Sequence, residues 1–231
     1  MQTVPIDLVT VSREFGSGGS EFAHALGARL GWPVLDRDLV YRVAERLALD
    51  AEVVARLDEH PPTRLARLAA ALLILPPDMP VAHVVPPSHP PLGPDDVAGA
   101  TRAVIAEAVR TPPLIVVGHG TQCAYAERPG TLHVRLDAPL DVRARRLAPR
   151  LGCAVATAAA EAQRLDDARG RYVQRYYKRD WRDPLLYDVQ FNTARVPVDL
   201  AAVLVTAAVH GSAVHGSAVH GAAVPTSSAT P

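Results

Sequence analysis

Lysine is almost missing from this 231-residue chain: Lys178 stands alone against 23 arginines. With so much alanine and proline, the skew reads first as a compositional bias. Arginine is nonetheless the side chain suited to bidentate phosphate contacts. Charge of either sign is not in excess, since 24 basic and 24 acidic residues cancel. That balance argues against a general nucleic-acid surface and leaves room for a local basic pocket. Only two cysteines occur, Cys123 and Cys153, without metal-type spacing, which excludes a disulfide framework. No apolar run reaches the roughly 18 residues of a membrane span. The first residues, Met1–Asp7, lack a basic segment followed by a long apolar one. A soluble cytoplasmic protein is therefore expected.

Against these absences stands the segment Val9–Glu21, an apolar run breaking into Arg13-Glu14-Phe15-Gly16-Ser17-Gly18-Gly19-Ser20. A strand, a glycine-rich loop and a helix over about Ser20–Leu30 follow in the order a phosphate cradle needs. Glycines let backbone N–H groups converge on an anion, and the helix N-terminus adds positive potential. The usual pattern is G-x-x-x-x-G-K-[ST]. Aligned on Gly18, this chain has Arg13 for the first glycine, Gly19 for the lysine and Ser20 at the hydroxyl position. Three glycines in four residues exceed what a simple turn requires. Ser20 has two readings, a hydroxyl for Mg²⁺ or a helix N-cap. Arg13 also has two, a replacement for the lysine charge or an ion-pair partner of Glu14 or Asp36.

Further elements follow from periodicity and breakers. Residues 6–11 form the first strand, and Pro33–Leu35 a second that leads to Asp36-Arg37-Asp38. Helices are predicted over about Asp38–Leu47, Asp50–Leu57 and Arg64–Leu75. Proline pairs from 61 to 91 mark an insert over about 60–94, whose part Pro76–Pro94 holds no regular structure. Asp95-Asp96 caps a helix reaching about Arg110. Leu114–Val117 is a buried strand ending in Gly118-His119-Gly120, and Thr131–Leu136 is another. Helices over Leu140–Arg150 and Ala154–Tyr177, a strand over Asp188–Asn192 and a helix over Asp199–Val209 complete the domain, residues 1–209. Alternating strands and helices indicate a parallel sheet with helices on both faces. Residues 210–231, where His210-Gly-Ser-Ala-Val recurs, read as an unstructured low-complexity tail. Its three histidines alternatively offer a weak metal site.

The densest basic run is Arg164, Arg169, Arg171, Arg175, Lys178 and Arg179. On a helix Arg164, Arg171 and Arg175 fall near one face and Asp166 and Asp167 elsewhere. A solvated charged face and a phosphate-closing lid are both open readings. Tyr176, Tyr177, Trp181 and Tyr187 frame either a base pocket or the packing of that lid. Asn192-Thr193 is read as structural.

The loop, the Asp36-Arg37-Asp38 turn, the segment LIVVGHG and the ending from Asp166 through Tyr177, Trp181, Asp183-Pro184 and Asn192-Thr193 together resemble the cytidylate-kinase-like family of P-loop nucleoside monophosphate kinases. The resemblance covers roughly the first 45 residues and 95–205. The family usually has a basic residue where Ser20 stands, and commonly Arg where His119 stands. The resemblance implies a P-loop three-layer α/β fold with a helical lid over about 150–182, and ATP and Mg²⁺ as co-substrate and ion. It implies γ-phosphoryl transfer to a nucleotide, CMP or dCMP. Gly16, Ser17, Gly18, Gly19, Ser20 and Glu21 then hold ATP, with Ser20 toward the metal. Arg13, Asp36, Arg171 and Arg175 are the expected catalytic set. Arg37, Asp38, His119, Arg164 and Arg169 are the expected acceptor-binding set. The alternatives are a nucleotide-binding or regulatory protein derived from a kinase, and a kinase for a non-nucleotide small molecule.

Overall fold

The computed structural model describes residues 4–36 and 94–218. Five strands, β1 (Leu8–Arg13), β2 (Val34–Leu35), β3 (Leu114–Val117), β4 (Thr131–Asp137) and β5 (Val189–Asn192), form one sheet in the order β2-β3-β1-β4-β5. Every neighbouring pair is parallel, with Val11 beside Val117 on one side and Val134 on the other. The connecting helices are α1 (Gly19–Leu30), α2 (Pro94–Ala108), α3 (Thr121–Ala124), α4 (Leu140–Leu151), α5 (Val155–Tyr177) and α6 (Val198–Ala218).

Alternation along the strands divides the core. Val9, Val11, Ile115, Val117, Val134 and Leu136 face α1 and α6, where Phe22, Leu26, Ala201 and Val205 meet them. Full burial of Phe22 or Leu26 contributes about 2–3 kcal/mol each. Leu8, Leu114 and Val116 face α2 through Val104 and Ile105. On β1 and β4 that second face turns polar: Thr10, Ser12, His133 and Arg135 are buried there. Ser12 and Arg135 are covered by Trp181 and Tyr187: Trp181 Nε1 donates to Ser12 Oγ at 2.9 Å, and Arg135 stacks 4.4 Å from the Trp181 ring. The two rings thus anchor the segment after α5, and Trp181 also borders the cavity beside Arg13 and His119.

The expected parallel sheet, and helices on both of its faces, are present. Two boundaries differ. Helix α2 begins at Pro94, whose fixed φ suits a first helical turn. Asp95 therefore lies in the first turn instead of capping it. Helix α6 runs to Ala218, through nine residues read as tail. Once Ala201, Ala202, Val205 and Val209 are docked, propagation through an Ala- and Val-rich sequence is cheap, and each Gly costs only ~1 kcal/mol. The helices predicted over 38–75, most of the Pro-rich insert, and Arg37 and Asp38 lie outside the described residues.

Candidate functional site

The sheet order reverses at β1, with β3 on one side and β4 on the other. In open parallel sheets the crevice beyond the carboxyl ends at such a point is where ligands bind. Here two glycine turns leave adjacent strands side by side. After β1 the backbone passes through Gly16 (φ 83°) and Gly18 (φ 89°) into α1. After β3 it passes through Gly118, His119 and Gly120, all left-handed at φ 83°, 59° and 68°. A non-glycine residue held there is strained, as such residues tend to be at functional sites.

The loop presents donors. Ser17 N–H returns to Glu14 O at 3.2 Å, while among the described residues no backbone acceptor takes the N–H groups of Gly16, Gly18, Gly19 or Ser20. Ser20 is not the N-cap: that position is Gly18, and Ser20 stands in the first turn. Glu21, exposed, pairs with Arg150 at 3.0 Å.

Arg13 crosses this site. A Cβ on Gly19 would collide with its Cγ and Cβ, and a Cβ on Gly118 would collide with its guanidinium. The Arg13 stem therefore fills the space that a side chain at 19 would use, and its charge lies between the two turns. Among the described residues Arg13 forms an ion pair with neither Glu14 nor Asp36. Glu14 goes to Arg143 at 3.2 Å and Arg135 at 4.0 Å. Asp36 reaches Arg13 only as a longer-range Coulomb partner. Burial pushes the Arg13 pKa down, with Asp36 and Asp166 opposing.

The lid residue that joins it is Arg169. Its NH1 donates to Arg13 O at 2.9 Å, and its guanidinium lies 5.7 Å from the Phe15 ring. Burial first, and the Arg13 charge second, hold its pKa down to about 9. His119 is also drawn in: burial, then Arg13 and Arg169, hold it neutral with a pKa of about 3. Arg13, Gly118, His119, Gln122, Arg169 and Tyr172 line a cavity of about 30 Å³, room for about two water-sized groups. Among the described residues, Asp36 Oδ2 and His119 Nε2 are buried without a hydrogen-bond partner. Asp36 itself is only 3% exposed. Two desolvated guanidiniums and unused donors are the complement of an anion.

The other lid arginines lie elsewhere. Arg164 is exposed and bonded to Glu161 at 2.7 Å. Arg175 pairs with Asp95 at 3.0 Å. Arg171 lines a separate cavity of about 290 Å³ with Asp167, Asp180 and Arg182. These three do share a face, as their spacing implied, but it is the outward one. The inward stripe is Leu165, Asp166, Ala168, Arg169 and Val173.

Sequence reasoning missed the ion network beneath the loop. Asp166, 3% exposed, accepts Phe15 N–H at 2.8 Å, Arg143 at 2.7 Å and Arg169 at 3.3 Å. Arg143 also donates to Phe15 O at 3.0 Å. Thr193 Oγ1 donates to Ser17 O at 2.8 Å, fastening the far side of the loop.

A model of the cytidylate kinase-like family matches residues 8–195. The chain belongs to this family. Over 78 residues it is 37% identical to the cytidylate kinase of Haloquadratum walsbyi, an overlap of 34% of this chain and 41% of that protein. The chain thus spans about two fifths of the curated relatives it matches. An uncharacterized protein from Eubacterium ventriosum has a similar structure (TM-score 0.63, 18% identity, 88% of this chain and 98% of that one). So does the shikimate kinase of Bacteroides thetaiotaomicron (TM-score 0.50, 15% identity, 90% and 99%). At those identities the likeness shows the fold, a P-loop α/β kinase fold. Among the described residues no helix is long and apolar enough to cross a membrane.

Proposed function

We propose that this family member is a phosphotransferase that moves the γ-phosphoryl of ATP to a nucleoside monophosphate, CMP or dCMP. The single observation that carries this is the burial of Arg13 and Arg169 together at the mouth of the glycine loop, joined by the Arg169 NH1 bond to Arg13 O at 2.9 Å. Two like charges confined beside unused N–H donors favour a polyanion. In this reading the N–H groups from Gly16 to Ser20 hold the ATP phosphates. Arg13 and Arg169 neutralise the charge that develops on the transferred group, the role a loop lysine fills elsewhere. No covalent intermediate is needed, because positioning and charge carry the reaction.

Mg²⁺ fits the residues present. It takes one or two protein oxygens together with phosphate oxygens and water. The Ser20 hydroxyl and the Asp36 carboxylate, whose Oδ2 has no partner among the described residues, would hold it and its waters. There it screens phosphate charge. Neutral His119 meets the acceptor with a hydrogen bond rather than a charge, and Arg37 and Asp38 belong to the acceptor side by sequence alone. Arg171, Arg175 and Arg164 join this set only if the lid rearranges.

One observation favours a second reading, nucleotide binding without turnover: the Arg13 stem lies against Gly19, where the lysine of a phosphate loop would stand. ADP formation from ATP and Mg²⁺, measured across CMP, dCMP, UMP, AMP and GMP, decides between them. Acceptor-dependent ADP, largest with CMP or dCMP, supports the kinase. Silence across the panel with ATP bound supports the second reading or a non-nucleotide acceptor, and no ATP binding refutes both readings.

A further inference from the structure

We infer that Asp166 is a positioning residue that couples the lid helix to the phosphate loop through Arg169. The inference rests on the nucleotide-binding reading above. It starts from a carboxylate that the helical spacing set apart from the Arg164, Arg171 and Arg175 face and that the structure buries to 3% exposure.

The two oxygens of Asp166 have separate tasks. Oδ1 accepts the Phe15 N–H at 2.8 Å and Arg169 NH1 at 3.3 Å. Oδ2 accepts Arg143 NH1 at 2.7 Å. Arg143 NH1 also donates to Phe15 O at 3.0 Å, so the residue entering the glycine turn is gripped at both its N–H and its C=O. The same Arg169 NH1 donates to Arg13 O at 2.9 Å. One guanidinium nitrogen is thereby shared between a lid carboxylate and the last residue of β1.

An arginine side chain left to itself samples many rotamers, and charge on a phosphoryl group is stabilised well only by donors already in place. Asp166 fixes Arg169 against Arg13, and on the same atom fixes the backbone one residue before Gly16. Lid and loop are thus set relative to each other by one carboxylate. Its own pKa is raised, by burial first, while the Phe15 N–H and the two arginines oppose.

A double-mutant cycle in ADP affinity, read by calorimetry with Mg²⁺ present, tests this. The proteins are wild type, Asp166→Asn, Arg169→Met and the double variant, each checked for a cooperative melt. Asp166→Asn should weaken ADP binding roughly tenfold or more, the scale of one charge-assisted contact. In the Arg169→Met background the same change should cost less than about threefold, because its route to the phosphates is already gone. A role confined to holding the fold gives equal losses in both backgrounds, and that result overturns the coupling while leaving ADP binding by the wild type intact. If Asp166→Asn does not fold, Asp166→Glu replaces it, keeping the charge and displacing it by one methylene; the same non-additivity is expected. No ADP binding by the wild type overturns the nucleotide reading, and this inference with it.

Discussion

Replacing Arg13 by Met separates the two tasks that a buried arginine can have. Met keeps an unbranched stem against Gly19 and removes the guanidinium beside Gly118 with its charge. The guanidinium forms no ion pair among the described residues, and burial pushes its pKa down. Its charge therefore opposes folding, with Asp36 as partial compensation. Exchanging such a charge for an apolar group of similar length is neutral or stabilising. At ~2–4 °C per kcal/mol for a chain of this size, the melting temperature of Arg13→Met should stay level or rise by up to about 5 °C. Turnover should move the other way. Loss of one preorganised donor to a developing anion lowers kcat by about 10²–10³-fold. Melting by circular dichroism and ADP formation with the best acceptor read both quantities on one preparation. A melting temperature lowered by more than about 5 °C with kcat unchanged would show that Arg13 is a structural strut, and would refute the reasoning.

Three further outcomes follow from the same geometry. His119 has a folded pKa of about 3 against 6.5 unfolded, so the unfolded chain takes up the extra proton as pH falls below 6.5. Stability is present above that pH and declines toward pH 3, by at most ~1.4 kcal/mol per unit from this group. Urea melts at pH 7 and pH 4 should show a smaller decline in His119→Asn, since Asn tolerates φ 59° and does not titrate; equal declines would remove His119 from the account. Arg143→Met removes the closest ion-pair partner of both Asp166 and Glu14 and should cost ~3–5 kcal/mol, seen as a melting temperature lower by about 6–20 °C. An unchanged melt would mean the network is dispensable. Arg175→Ala loses an exposed pair with Asp95 and should leave kcat within about threefold and the melting temperature within about 2 °C. A hundredfold loss of kcat would restore Arg175 to the catalytic set.

Much of the fold was legible because its signals are local. The apolar runs of β1 and β3, the glycines after each, and the spacing in α1, α4 and α5 depend on residues within one element. The sheet followed from alternation of strands and helices. The site was legible as a loop and not as a charge arrangement. Asp166 and Arg143 are 23 positions apart, and Asp166 and Phe15 are 151 apart. No periodicity within α5 shows which face will meet the loop, so the outward Arg164, Arg171 and Arg175 looked as fit as the inward Arg169. Charged residues are usually solvated, and nothing local to Asp166 marks it as one that is buried. For Trp181 and Tyr187 the sequence left a base pocket and packing equally open, because nothing near them in sequence announces the Arg135 guanidinium 4.4 and 5.2 Å from their rings. The length of α6 was hidden by repeated Gly and Ser, whose local cost is smaller than the gain of continuing a docked helix.

The central claim is that phosphates sit between the glycine loop and the paired arginines. A crystal structure of the chain with ADP and Mg²⁺ tests it most directly. The account predicts β-phosphate oxygens at about 3 Å from the N–H groups of Gly18 and Gly19, and within hydrogen-bond reach of Arg13 or Arg169. A nucleotide bound elsewhere, with Arg13 and Arg169 both turned away from its phosphates, would contradict it.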